Sequence, residues 1–223
     1  RQMCIRDMDM PLSEISDFLH NMDVNTIEEK LRQQREIVMQ KQQELKRIQN
    51  KIDHRLHWLL DAQSVPLDTI TLSQSAARRI VWVEDTLEIG CFLDMEVPIR
   101  KLDQSKTEAV IFPGKVGLGI SVDHLMNGQT EKYDGLFLIL DDEDIFTGAT
   151  IELSESCCVR IHYRGSHTEA PAQYKKLLDY IRIHNMQITG FSQEITLIDY
   201  SITNDVKKFV TEISIPVKCR CSE

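Results

Sequence analysis

Nowhere in this 223-residue chain does an apolar run reach membrane-spanning length. No cleavable leader is visible either, so the sequence points to a cytoplasmic protein without a membrane partner. Basic charge is short as well. The 26 lysines and arginines face 35 acidic residues, giving a net charge of -9, and leave no cationic footprint for nucleic acid. The six cysteines (Cys4, Cys91, Cys157, Cys158, Cys219 and Cys221) make no disulfide framework for a domain this size, so reduced thiols are expected. Cys157 and Cys158 are adjacent on an expected strand and point to opposite faces. Cys219 and Cys221 have no second ligand pair spaced to close a tetrahedral site, and His162 and His167 join them only if the fold brings them there. No metal or cofactor is expected. No Ser-His or Cys-His pair is spaced as a nucleophile and its base, so the reading is of a protein that is not an enzyme.

Glycine and proline are missing from the whole stretch Val24 to Leu59, and what fills it is periodic. Val24, Leu31, Val38, Leu45, Ile52 and Leu59 recur every seventh residue. A straight helix drifts by roughly 20° per heptad against such a row, so the seam has to supercoil around a partner. The companion positions Ile27, Gln34, Lys41, Ile48 and Arg55 are apolar only at their ends, which suits an antiparallel homodimer better than a parallel zipper. Asn25 and Glu28 are spaced as a capping box, and the helix should end near Gln63, before Ser64-Val65-Pro66. Its length would be roughly 50–60 Å. Upstream, Pro11 to Leu19 forms a short amphipathic helix with Leu12, Ile15, Phe18 and Leu19 on one face. Arg1 rather than methionine opens the chain, which reads as a piece of something longer.

Beyond Pro66 the period becomes strand-like. Arg79 to Val83, Ala109 to Phe112 and Leu136 to Leu140 are short β-prone runs. Asp94 to Arg100 echoes Thr211 to Lys218, as matching strands of a duplicated unit would. Ser156 to Arg164 is a strand, Gly165 to Thr168 a turn, and Ala170, Tyr174, Leu177, Leu178 and Ile181 mark one helix face closed by His184-Asn185. Two more strands follow. Three parts result: residues 1–22, a coiled-coil helix over 23–64, and a globular domain over 67–221.

Cys4-Ile5-Arg6-Asp7-Met8-Asp9-Met10-Pro11-Leu12-Ser13-Glu14-Ile15 followed by a long helix resembles the MerR family of bacterial transcription regulators. On that resemblance residues 1–22 are the trailing part of a winged-helix DNA-binding domain that is largely missing. Ile161 to Gly165, Tyr174 to Ile181, Glu194 to Asp199 and Phe209 to Val217 resemble, in that order, the GyrI-like effector-binding domain of the multidrug-sensing (BmrR-like) branch. The implied fold is α+β, with a long antiparallel coiled-coil dimerisation helix followed by a duplicated β-α-β-β domain. The implied function is a ligand-responsive regulator that takes a lipophilic small molecule, cationic or neutral. It would signal through the dimer coil to promoter DNA and RNA polymerase in the full-length protein.

Glu194 is the residue on which chemistry would turn. Taking Ile188 to Ile198 as one strand with Ile188 inward, Gly190, Ser192, Glu194, Thr196 and Ile198 share a face. An unpaired carboxylate there would be costly, so it is either solvated, paired with a cation, or held in an apolar cavity to attract a cationic ligand. The resemblance matches Glu194 to the family's pocket carboxylate, Thr196 to the pocket residue two further on, and Phe209 and Tyr133 to pocket rings. Ile89 stands where the branch can carry a tyrosine, and Tyr163 and Trp82 complete the candidate lining. A small-molecule hydrolase or sequestering protein on the same GyrI-like fold is the alternative.

Overall fold

A computed structural model describes residues 24–87, 115–141, 144 and 146–219. Helix α1 runs Val24–Ser64, as the unbroken run without glycine or proline requires. Asn25 and Glu28 both lie within its described first turns. Ser64 turns back on the helix, its hydroxyl donating to the Asp61 carbonyl at 3.0 Å, and Pro66 prevents continuation. The chain divides into two compact units, residues 1–57 and 58–223. In the first, Leu31, Val38, Leu45 and Ile52 are exposed, Leu45 by 66% and Ile52 by 54%, so the heptad row is an apolar stripe open to solvent within this chain.

The second unit begins at Trp58 and is built on one sheet. Its strands are β1 (Ile70–Ser75), β2 (Arg78–Leu87), β3 (Val116–Gly119), β4 (Tyr133–Leu140), β5 (Ile151–Leu153), β6 (Ser156–Arg164), β8 (Gln193–Ile198) and β9 (Val210–Cys219). They lie in the order β1-β6-β9-β8-β3-β4-β2-β5, and β7 (Met186–Ile188) pairs with the far end of β9. Every described pairing is antiparallel. Helix α2 (Val122–Met126) joins β3 to β4, and α3 (Ala170–Ile183) joins β6 to β7. The chain is thus mixed α+β: a long N-terminal helix and a many-stranded sheet.

Register sorts the side chains into two faces. Tyr163 stands opposite Thr211 and Ile161 opposite Ile213, while Glu194 pairs with Ile213 and Thr196 with Thr211. These residues point to the face covered by α3, which buries Ala170, Tyr174, Leu177 and Ile181 at helical spacing against Val159, Ile161, Ile213 and Ile215. Ser166 and Glu169 form a reciprocal capping box just ahead of α3, Pro171 fits its first turn, and Asn185 closes it in a left-handed conformation at φ 51°. The other face holds Ile80, Phe137, Ile195 and Leu197, with Trp58 and Ala62 from the end of α1 packed among them. Two glycines make room there. A Cβ on Gly117 would come within 2.2 Å of the Phe137 ring, and one on Gly135 within 2.4 Å of the Trp82 ring.

Ile188 to Ile198 is not one strand. Thr189 to Ser192 separates β7 from β8, and a register shift between Thr196 and Ile198 turns Ile198 toward the Ile195 and Leu197 side. The expected shared face therefore shrinks to Ser192, Glu194 and Thr196, Ser192 reaching the α3 side through its 2.9 Å hydrogen bond with Tyr174.

A charged cluster sits on the second face, next to the apolar side chains. Glu212 forms an ion pair with Arg160, Oε1 lying 3.3 Å from Nε, and meets His162 Nε2 at 2.9 Å. Burial pushes the Glu212 carboxyl up, but the His162 hydrogen bond and the nearby Arg160 charge outweigh it and hold it below the ordinary range. A depressed carboxylate stabilises fully above its unfolded value and loses that contribution as pH falls through the folded one. Urea midpoints should therefore drop for the native chain between about pH 5 and about pH 3. Glu212→Gln should lower stability near neutrality by roughly 1–3 kcal/mol and flatten that acid limb. An unchanged acid limb in the variant would remove Glu212 from the account.

Candidate functional site

Glu194 projects from the second position of β8 with no solvent exposure. Its register partners across the sheet, Leu118 on β3 and Ile213 on β9, are both buried and apolar. A carboxylate in such surroundings has to be satisfied internally, and it is. Tyr133, the first residue of β4, donates its hydroxyl to Oε2 at 2.9 Å. His167 sets Nδ1 against Oε1 at 2.5 Å. The Ser166/Glu169 capping box fixes the turn that carries His167, which begins two residues after Arg164 ends β6.

These contacts assign protons. Toward a carboxylate, which only accepts, Nδ1 is the nitrogen of His167 that donates, and Nε2 is the ring nitrogen turned away from Glu194. Thr196 Oγ1 lies 3.4 Å from that Nε2, and Thr211 links Thr196 at 3.4 Å to the Gly165 carbonyl at 2.8 Å. Burial first, and then the Glu194 charge, raise the Tyr133 hydroxyl far above its ordinary value, so it remains a proton donor. Burial and Glu194 act in the same directions on Tyr163 and Tyr174. Tyr163 donates to the Ser166 carbonyl at 3.0 Å, and Tyr174 shares a hydrogen bond with Ser192 at 2.9 Å. Three neutral phenols thus surround one carboxylate, with an imidazole beside it.

Of the residues singled out in the sequence, Tyr133, Thr196 and Tyr163 come together with Glu194. Phe209 is buried just before β9 and makes an edge contact with Tyr200, ring centres 4.7 Å apart. Trp82 stands on the opposite face of the sheet, against Phe137 and Phe191. Ile89 lies outside the described residues, as do residues 1–22, Asp94 to Arg100 and Ala109 to Phe112. His167 is the partner that spacing did not reveal. Its signal was Ser166-x-x-Glu169, which freezes the turn after a strand only two places from β8 in the sheet. Among the described residues no three His, Cys, Asp or Glu side chains gather as a metal site. None of their helices is long and apolar enough to cross a membrane.

No protein-family model and no curated protein matches the sequence. Solved structures do. The EcmrR–DNA complex seen by cryo-EM in EcmrR-RPo matches with a TM-score of 0.52 at 13% identity, over 96% of this chain and 80% of that one. The likeness is one of fold. SAV2435 bound to tetraphenylphosphonium matches at 20% identity over 67% of this chain and 94% of that one, with a TM-score of 0.39. A hydrolase from Listeria innocua matches at 12% identity over 70% of this chain and 95% of that one, with a TM-score of 0.43. These two scores carry no inference about residues or chemistry. They do correct one expectation: with structures named as hydrolases matching most of the chain, the reading of a protein that is not an enzyme is withdrawn.

Proposed function

We propose that the second unit binds a lipophilic small molecule over the Glu194–His167 pair and hydrolyses it, with His167 as the general base. The observation that supports this is the 2.5 Å contact between His167 Nδ1 and the fully buried Glu194. A carboxylate that fixes the tautomer and orientation of an imidazole is the arrangement a general base requires. Nε2 takes a proton from water as the water oxygen attacks an ester carbonyl carbon. The bond to the alkoxy leaving group then breaks, and that group leaves with the proton from Nε2. No serine or cysteine nucleophile is needed for this step. Direct attraction of a cationic ligand by Glu194 is less well supported, because both oxygens already accept hydrogen bonds and a cation has to compete with His167.

The test is turnover of a panel of naphthyl and nitrophenyl esters by the purified chain. His167→Ala should lose about 100-fold or more in rate, the usual worth of a general base. Undiminished hydrolysis in that variant would exclude His167 as the base.

A second reading rests on a separate observation, the open apolar row of α1. There the chain pairs as an antiparallel homodimer through Leu31, Val38, Leu45 and Ile52. A hydrophobic effector bound near Glu194 favours one arrangement of the pair. In the full-length protein that change reaches promoter DNA and RNA polymerase. The fold shared with EcmrR in its DNA complex supports this reading, and small-molecule binding at Glu194 is common to both.

A further inference from the structure

The second face of the sheet holds a cleft of about 450 Å³, across the sheet from Glu194. Ala62, Leu67, Ile198 and Val210 supply apolar walls, while Arg164 and Lys208 stand at it as cations. No acidic residue lines it. In a chain with a net charge of -9, two cations meeting at an apolar cleft run against the general balance.

Local structure puts them there. Arg164 ends β6 opposite Val210, and its Nη1 donates to the Lys207 carbonyl at 3.0 Å. That carbonyl belongs to the single 3-10 turn Val206–Lys208, which Asp205 caps through the Lys207 amide at 3.1 Å. The turn thereby holds both cationic side chains at one cleft. Lys208 keeps only a loose 4.0 Å contact with Asp205, and among the described residues Arg164 has no carboxylate partner. Both charged ends face solvent at the cleft, neither closely held by a carboxylate.

We propose that this cleft is a second binding site, and that it takes an amphipathic organic anion: a carboxylate on an alkyl or aryl body. The volume falls within the usual range for small-molecule sites, about 300–1,000 Å³, and convergent charge over an apolar floor fits that chemistry. The guanidinium offers a fork of N–H donors matched to a carboxylate, and the apolar body displaces water from Ile198 and Val210. Leu59, Ala62 and Gln63 line one side, so an occupant touches the last turns of α1.

Calorimetric titration of the full chain with dodecanoate and with 2-naphthoate tests this, with dodecanol and dodecyltrimethylammonium as neutral and cationic counterparts. Both anions should bind more tightly than their counterparts and raise the melting temperature. The ratio between the two anions tells a lipid-derived chain from an aryl acid. Arg164→Gln with Lys208→Gln, both exposed positions, should weaken the anions by roughly tenfold or more with the fold intact by circular dichroism. Ile202→Trp, which fills the cleft, should abolish binding while leaving both charges in place. Equal affinity for the neutral or cationic counterparts, undiminished binding in the double variant, or no anion binding would each overturn the proposal. The last result is also the one expected if another segment of protein occupies the cleft in solution.

Discussion

Glu194→Ala should destabilise the second unit by about 2–6 kcal/mol, about 1–3 for each of two donors left without an acceptor. The substitution strips an acceptor from two buried donors at once, the Tyr133 hydroxyl and His167 Nδ1. The Tyr133 hydroxyl has no water to turn to, since Tyr133 is buried and Glu194 is fully enclosed. Glu194→Gln keeps the shape but offers one acceptor and one donor where two acceptors are needed. Its cost should be smaller, roughly 1–3 kcal/mol for the one donor left unmatched. Tyr133→Phe should fall in that same range. Urea unfolding of the three variants gives the order directly. If alanine and glutamine cost the same, or alanine costs less than about 1 kcal/mol, the carboxylate is not the internal acceptor described above.

The second large effect concerns pairing. Leu45 and Ile52 each present most of a side chain to solvent along α1. Burying such a side chain stabilises by roughly 1.5–3 kcal/mol, and a two-fold pair buries each of them twice. Leu45→Glu with Ile52→Glu should therefore remove roughly 6 kcal/mol or more from association, several decades in dissociation constant. Sedimentation velocity should show the native chain as a dimer at micromolar concentration and the double variant as a monomer. Lys46→Glu, one position off the row, serves as the control and should stay dimeric. A native chain that sediments as a monomer ends the pairing argument outright.

Long-range order along the chain was well written in the sequence wherever a single period governed a segment. The helix ending at Ser64, strand β6, helix α3 with its face of Ala170, Tyr174, Leu177 and Ile181, and the final strand all follow from periodicity and caps. Two local events were not legible. The break at Thr189–Ser192 and the shift after Thr196 arise from pairing with β9, and no period in Ile188–Ile198 announces them. His167 was hidden for a related reason. Its distance to Glu194 depends on β6 and β8 both flanking β9, a sheet order that residue spacing does not encode. Glu194 itself was legible because a charge among apolar strand residues demands an explanation. The spacing did not show that a histidine and a tyrosine supply it.

The chain has two tryptophans, and both lie on the same side of the sheet. Trp58 comes from the end of α1, and Trp82 rests on Phe137 and Phe191. Intrinsic fluorescence is therefore a built-in optical probe of that side and is blind to direct contact at Glu194. A molecule settling beside Arg164 and Lys208 lies on the side both indoles report. One settling beside His167 changes the emission only if its arrival is felt through the thickness of the sheet. For a ligand known to sit beside His167, a changed emission thus reports a message carried between the two sides.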